Sequence, residues 1–95
     1  MKAQLKFLNG EREGVTYTLR EGRTVVGRQV GDITLGDKEV SSIHAIVSYE
    51  RNAWYIMDLG STNGVWVNEQ LQPEAKLKDG TEIRLGQTRL LFCLD

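Results

Sequence analysis

Three short stretches hold the residues of this chain that could do chemistry: Gly27-Arg28, Ser41-Ser42-Ile43-His44 and Ser61-Thr62-Asn63-Gly64. Arg28 offers a planar fork of N–H donors that suits the oxygens of a phosphate. The hydroxyls and backbone N–H groups of Ser41 and Ser42 suit the same kind of anion. Asn63 adds one acceptor and two donors, a match to a peptide backbone. Taken singly, each stretch also has a plain structural reading. Gly27-Arg28 is then a turn glycine with a solvated arginine, His44 a satisfied core histidine, and Asn63-Gly64 the favoured pair of a tight turn with positive φ. Ser41, His44 and Asp58 could also compose a small hydrolase. No Gly-x-Ser-x-Gly element or oxyanion-hole context accompanies them, and no catalytic residue is assigned. With one histidine and one cysteine in the chain, no metal site is expected either.

The elements that must position these residues are strands. Residues 43–49 and 53–59 are rich in β-branched and aromatic side chains and flank a turn signal at Arg51-Asn52. Paired as an antiparallel hairpin, they set Ser41 opposite Thr62 and Ser42 opposite Ser61, with facing residues about 5 Å apart. Hydroxyls, an amide and glycine backbone then gather at one end of a rigid support, with Arg51 at the other. Ala45, Val47 and Tyr49 share one face of their strand, and Trp54, Ile56 and Asp58 one face of theirs. Such alternation predicts two packed sheets.

Further short runs punctuated by turn signals read as strands over Ala3–Leu8, Val15–Leu19, Thr24–Gly27, Ile33–Leu35, Val65–Val67, Ala75–Leu77, Glu82–Leu85 and Thr88–Leu94. The turns fall at Asn9-Gly10, Glu21-Gly22, Asn68-Glu69, Asp79-Gly80 and Gly86-Gln87. No stretch of helical length carries an apolar period near 3.6. The fold class is therefore all-β: a sandwich of about eleven short strands in two antiparallel or mixed sheets.

Residues 1–95 are expected to form one domain, long enough for its own core. A net charge of −1 argues against charge-driven nucleic-acid binding but leaves room for one phosphate in a local cluster. A lone Cys93 excludes an internal disulfide and suits a reducing, cytoplasmic setting. No signal-peptide run or membrane-length apolar stretch is present, so no membrane partner is expected.

The order and spacing Gly27-Arg28, Ser41-x-x-His44 and Ser61-Thr62-Asn63-Gly64 resembles the forkhead-associated (FHA) domain family. Gly14-x-x-Tyr17-x-Leu19, Asp32-Ile33-x-Leu35, Val67-Asn68, Leu77-x-x-Gly80-x-x-Ile83-x-Leu85-Gly86 and Phe92 extend the likeness over essentially the whole chain. The resemblance implies an FHA-type (SMAD/FHA-like) sandwich whose loops at one end bind phosphothreonine peptides, without catalysis, cofactor or metal. Arg28, Ser41 and Ser42 would hold the phosphate, Thr62 would line the pocket for the phosphothreonine methyl, and Asn63 would bond the peptide main chain. Gly27, His44, Gly60 and Gly64 would support the loops. The partner implied is a phosphothreonine-containing signalling protein, bound by a monomeric module. Two features depart from the pattern: Ser42 stands where many relatives carry arginine or lysine, and Glu39 stands two positions before Ser41, with Lys38 beside it to offset its charge. Modest, flank-dependent affinity is expected, set by loops 29–31, 36–40, 65–66 and 86–88. A phosphorylation-independent scaffold, using a sheet face or edge and an exposed Trp54 or Trp66, is the alternative on the same fold.

Overall fold

Eleven strands make up the computed structural model, which describes residues 2–95. In chain order they are β1 (Ala3–Phe7), β2 (Thr16–Leu19), β3 (Arg23–Gly27), β4 (Ile33–Thr34), β5 (Ala45–Glu50), β6 (Ala53–Asp58), β7 (Trp66–Val67), β8 (Gln70–Leu71), β9 (Glu74–Leu77), β10 (Thr81–Leu85) and β11 (Thr88–Leu94). They form a six-stranded sheet in the order β2-β1-β11-β10-β7-β8 and a five-stranded sheet in the order β4-β3-β5-β6-β9. Only the β3–β4 pairing is parallel. The sandwich expected from the sequence is present.

Alternation along the strands builds the core. Leu5 and Phe7 of β1, Ile83 and Leu85 of β10, and Leu90 and Phe92 of β11 point inward from the first sheet. Val26, Ala45, Val47, Ile56 and Leu77 meet them from the second. Trp54 is buried, with its ring 6.1 Å from that of Phe92 and 5.1 Å from that of Tyr49. That burial corrects the expectation of an exposed Trp54, since the indole lies on the inward face with Ile56. Trp66 is half-buried.

The β5–β6 hairpin has the anticipated register, running from Ala45↔Asp58 to Glu50↔Ala53. Arg51 and Asn52 close it with φ of 53° and 63°, the left-handed pair that a two-residue hairpin turn requires. Six rises of about 3.4 Å carry Arg51 to the end of the sandwich opposite the start of β5. Asn68 and Glu69, with φ of 48° and 68°, make a second turn of this kind. It folds β8 back onto β7, a strand absent from the expectation because Gln70-Leu71 is too short and too exposed to show a period.

At the hairpin end, the chain's first and last strands meet. Ala3 pairs with Leu94, and the Asp95 N–H donates to the Lys2 carbonyl at 2.9 Å. Among the described residues, no helix is long and apolar enough to cross a membrane.

Candidate functional site

At the other end, the loop after β3, the β4–β5 loop (residues 35–44) and the β6–β7 loop (residues 59–65) come together. Gly27 sets how closely they pack. A Cβ added there would stand 2.1 Å from the Ser42 carbonyl oxygen and 2.3 Å from that of Val30. Only glycine lets the end of β3 lie directly against both loops. The Arg28 N–H then donates to the Ser41 carbonyl at 3.0 Å, and the Arg28 carbonyl accepts from Gly36 N–H at 2.9 Å. Arg28 is thus stitched into the β4–β5 loop by its backbone.

Its side chain is aimed by a further bond. Arg28 Nε donates to the Val40 carbonyl at 2.7 Å, immediately before Ser41. Among the described residues, the guanidinium has no carboxylate partner and its Nη groups no hydrogen-bond acceptor. A guanidinium has five N–H donors, so most of the fork remains available to a ligand.

Ser41 is prepared in a complementary way. Its Oγ accepts the Thr62 backbone N–H at 3.0 Å, which spends a lone pair and leaves the hydroxyl proton free to donate. This bond also ties the β4–β5 loop to the β6–β7 loop, at the pair that the hairpin register sets opposite each other. Asn63 adds another tie, because its Nδ2 donates to the Glu39 carbonyl at 2.8 Å. Among the described residues, one Asn63 N–H and its Oδ1 stay open.

His44 locks the two loops from below. It is fully buried; Nδ1 accepts the Ser41 N–H at 3.0 Å and Nε2 donates to the Gly64 carbonyl at 2.7 Å. Those partners place the ring proton on Nε2 and occupy both nitrogens. Ser61 Oγ accepts the Gly64 N–H at 2.9 Å, and Asp58 Oδ1 accepts the Ser61 N–H at 3.2 Å. The hydrolase arrangement is therefore not formed: His44 has no ring nitrogen to serve Ser41, and Asp58 serves a backbone amide.

Gly64 has φ of 83° and would press a Cβ to 2.3 Å from Leu71 Cδ1. Asn63 does not share the positive φ, so the turn is not the two-residue type that Asn-Gly suggests; the Ser61 hydroxyl closes it instead. Gly60 has φ of 72° with open space around it. Thr62 and Ser42 are exposed. Ser42 contributes its carbonyl to the Gly27 contact, and its hydroxyl has no hydrogen-bond partner among the described residues. The structure thus brings Arg28, Ser41, Thr62, Asn63 and His44 into one bonded cluster and leaves the Ser42 side chain at its margin.

Two participants escape the sequence reading. Val40, fully buried, presents the carbonyl that orients Arg28. Asp37, in the same loop, accepts the N–H groups of Glu39 at 2.9 Å and Gln87 at 2.8 Å and the Thr88 hydroxyl at 2.9 Å. Burial opposes ionisation of this carboxyl, but the donors from Glu39, Thr88 and Gln87 outweigh it and hold its pKa below the ordinary 3.8.

A two-sheet β-sandwich with a donor-bearing cluster of this make-up on its end loops defines a class of domain. The chain belongs to the forkhead-associated (FHA) family, and residues 6–95 match the FHA-like group described as the inner membrane component of T3SS, cytoplasmic domain. It is similar to the glycogen accumulation regulator GarA of Mycobacterium tuberculosis, with 36% identity over 91 residues, 95% of this chain and 56% of GarA. The chain thus spans little more than half the length of that relative. An FHA structure solved for an analysis of phosphothreonine-dependent FHA domain interactions superposes with a TM-score of 0.91 at 34% identity, covering 100% of this chain and 98% of its own. The FHA domain of FhaA, a Mycobacterium tuberculosis protein, crystallised with the intracellular domain of another protein, gives a TM-score of 0.86 at 36% identity over 95% of this chain and 98% of its own.

Proposed function

We propose that residues 1–95 act as one non-catalytic module that binds phosphothreonine peptides and recruits phosphorylated signalling proteins in the cytoplasm. The observation that carries this reading is the Arg28 guanidinium, held on the carbonyl of Val40 with its outer N–H groups unpaired among the described residues, next in the chain to Ser41, whose hydroxyl oxygen already accepts from Thr62. A phosphothreonine brings about −1.5 to −2 charge and three acceptor oxygens at neutral pH. One arginine and a few neutral donors match it, because charge-assisted bonds are roughly twice as strong as neutral ones. Arg28 and Ser41 are assigned to the phosphate, with Ser42 at its edge. Thr62 is assigned to the threonine methyl, and the open Asn63 Oδ1 and N–H to the peptide backbone. Gly27, His44, Gly60 and Gly64 support the loops. No cofactor, metal, nucleic acid or membrane enters this mechanism.

Preference for phosphothreonine over phosphoserine rests on one methyl, worth about 0.8 kcal/mol by burial. The test is a titration of matched peptides carrying threonine, phosphothreonine or phosphoserine. Binding is expected only for the phosphorylated pair, with phosphothreonine tighter. Arg28→Ala should cost about 2–5 kcal/mol, the range for truncating one partner of a hydrogen-bonded charge pair. Equal affinity for phosphorylated and plain peptides would overturn the reading in favour of a phosphorylation-independent scaffold.

A further inference from the structure

The bonds that aim Arg28 and Asn63 lead back to one carboxylate that touches neither. Asp37 lies in the β4–β5 loop, half-buried against the β10–β11 turn. One of its oxygens, Oδ1, accepts the Glu39 N–H, and its own carbonyl accepts the Val40 N–H at 3.0 Å. These two bonds fold residues 37–40 into a tight turn. The peptide carbonyls of Glu39 and Val40 are thereby left free to accept from Asn63 Nδ2 and Arg28 Nε. The other oxygen, Oδ2, accepts the N–H of Gln87 in the opposite sheet's turn and the hydroxyl of Thr88 at the start of β11.

We infer that Asp37 is a positioning residue of the peptide site: it pins the 37–40 backbone to the β10–β11 turn so that two consecutive carbonyls hold the Asn63 amide and the Arg28 guanidinium in place. A second, independent feature fits the same role. Gly86 gives the carboxylate room, since a Cβ there would meet Asp37 Oδ2 and Glu39 Cβ at 3.0 Å. The Glu39 carboxylate joins the same turn through Gln87 Nε2 at 2.6 Å. That bond directs the acidic head toward residue 87, and only the Glu39 backbone serves Asn63. Asp37 acts through peptide units, so its effect on the site is geometric and does not depend on contact with a ligand.

The inference rests on the phosphopeptide reading, and its test separates the two. In the uniformly 15N-labelled free protein, Asp37→Asn should shift the Arg28 Nε–H and Asn63 Nδ2 signals and speed their exchange with water. Amide signals of β1, β6 and β11 should stay in place. Affinity for a phosphothreonine peptide should fall about tenfold, the loss of a hydrogen bond to a charged group expressed as a ratio. Thr88→Val removes one donor to Oδ2 at nearly constant volume. It should move the same two signals by less, and it carries the test if Asp37→Asn fails to fold. Unmoved Arg28 and Asn63 signals in a folded variant, or an affinity within about twofold of wild type, would overturn the assignment. Shifted signals in the variant, with a wild type that itself binds no phosphothreonine peptide, would leave the positioning role standing and sink the functional reading instead.

Discussion

Gly27 illustrates how a residue with no side chain governs a site. Two carbonyl oxygens lie within 2.1 and 2.3 Å of where its Cβ would stand, and backbone atoms cannot swing aside as a flexible side chain does. Gly27→Ala should therefore destabilise the protein by about 1–3 kcal/mol, the cost of overpacking a close contact, as read from urea unfolding. It should also weaken phosphopeptide binding, because the displaced backbone belongs to the two loops that carry Arg28 and Ser41. Arg28, Ser41, His44 and Asn63 were legible in the sequence because their side chains have distinctive chemistry and stand in a recognisable order. Val40 and Asp37 were not. Val40 contributes a carbonyl, which any residue could supply, and Asp37 contributes bonds to backbone groups 50 residues away at Gln87, which no local pattern announces.

At the scale of the element, the β5–β6 hairpin did most to make the fold readable. Its turn, its alternation and the facing of Ser41 and Thr62 follow from residue types alone. Of the three strands only two residues long, β4 and β7 were legible as Ile33–Leu35 and Val65–Val67, and β8 was not, because its exposed Gln70-Leu71 carries no period. The hairpin turn also has a local flaw. Arg51 and Asn52 both occupy the left-handed region, which costs an ordinary side chain roughly 1–2 kcal/mol. Replacing the pair with Asn-Gly should raise stability by about 1 kcal/mol, measured as an increase in the urea midpoint with unchanged slope. Phosphopeptide affinity should not move, since the turn lies at the end remote from Arg28. A change in affinity would show that the two ends are coupled through the sheet.

For the molecule as a whole, Asp37 joins one sheet's loop to the other sheet's turn, so its ionisation is a property of the sandwich and not of one loop. Its carboxyl has a folded pKa below the ordinary 3.8. Its contribution to stability is therefore complete above that value and disappears as the pH falls through the lower, folded pKa. Urea unfolding of wild type and Asp37→Asn should differ at neutral pH, and the difference should shrink in acid below 3.8. A gap that stays constant, or widens on acidification, would show that the carboxylate's charge plays no part. Lys38 and Glu39 follow the group in the chain, and Glu39 is engaged by Gln87, so the comparison with Asp37→Asn is needed to isolate one carboxyl.

The pairing of Ala3 with Leu94, beside the Asp95-to-Lys2 bond, has an architectural consequence. Lys2 and Asp95 sit side by side like the two pins of a plug, with the loops of the candidate site at the opposite pole. Spliced into a surface loop of an unrelated host, the domain would ask that host to bridge only about 5 Å, the spacing of neighbouring strands. Anchored to a bead or a chip at that end, it would face the candidate site outward.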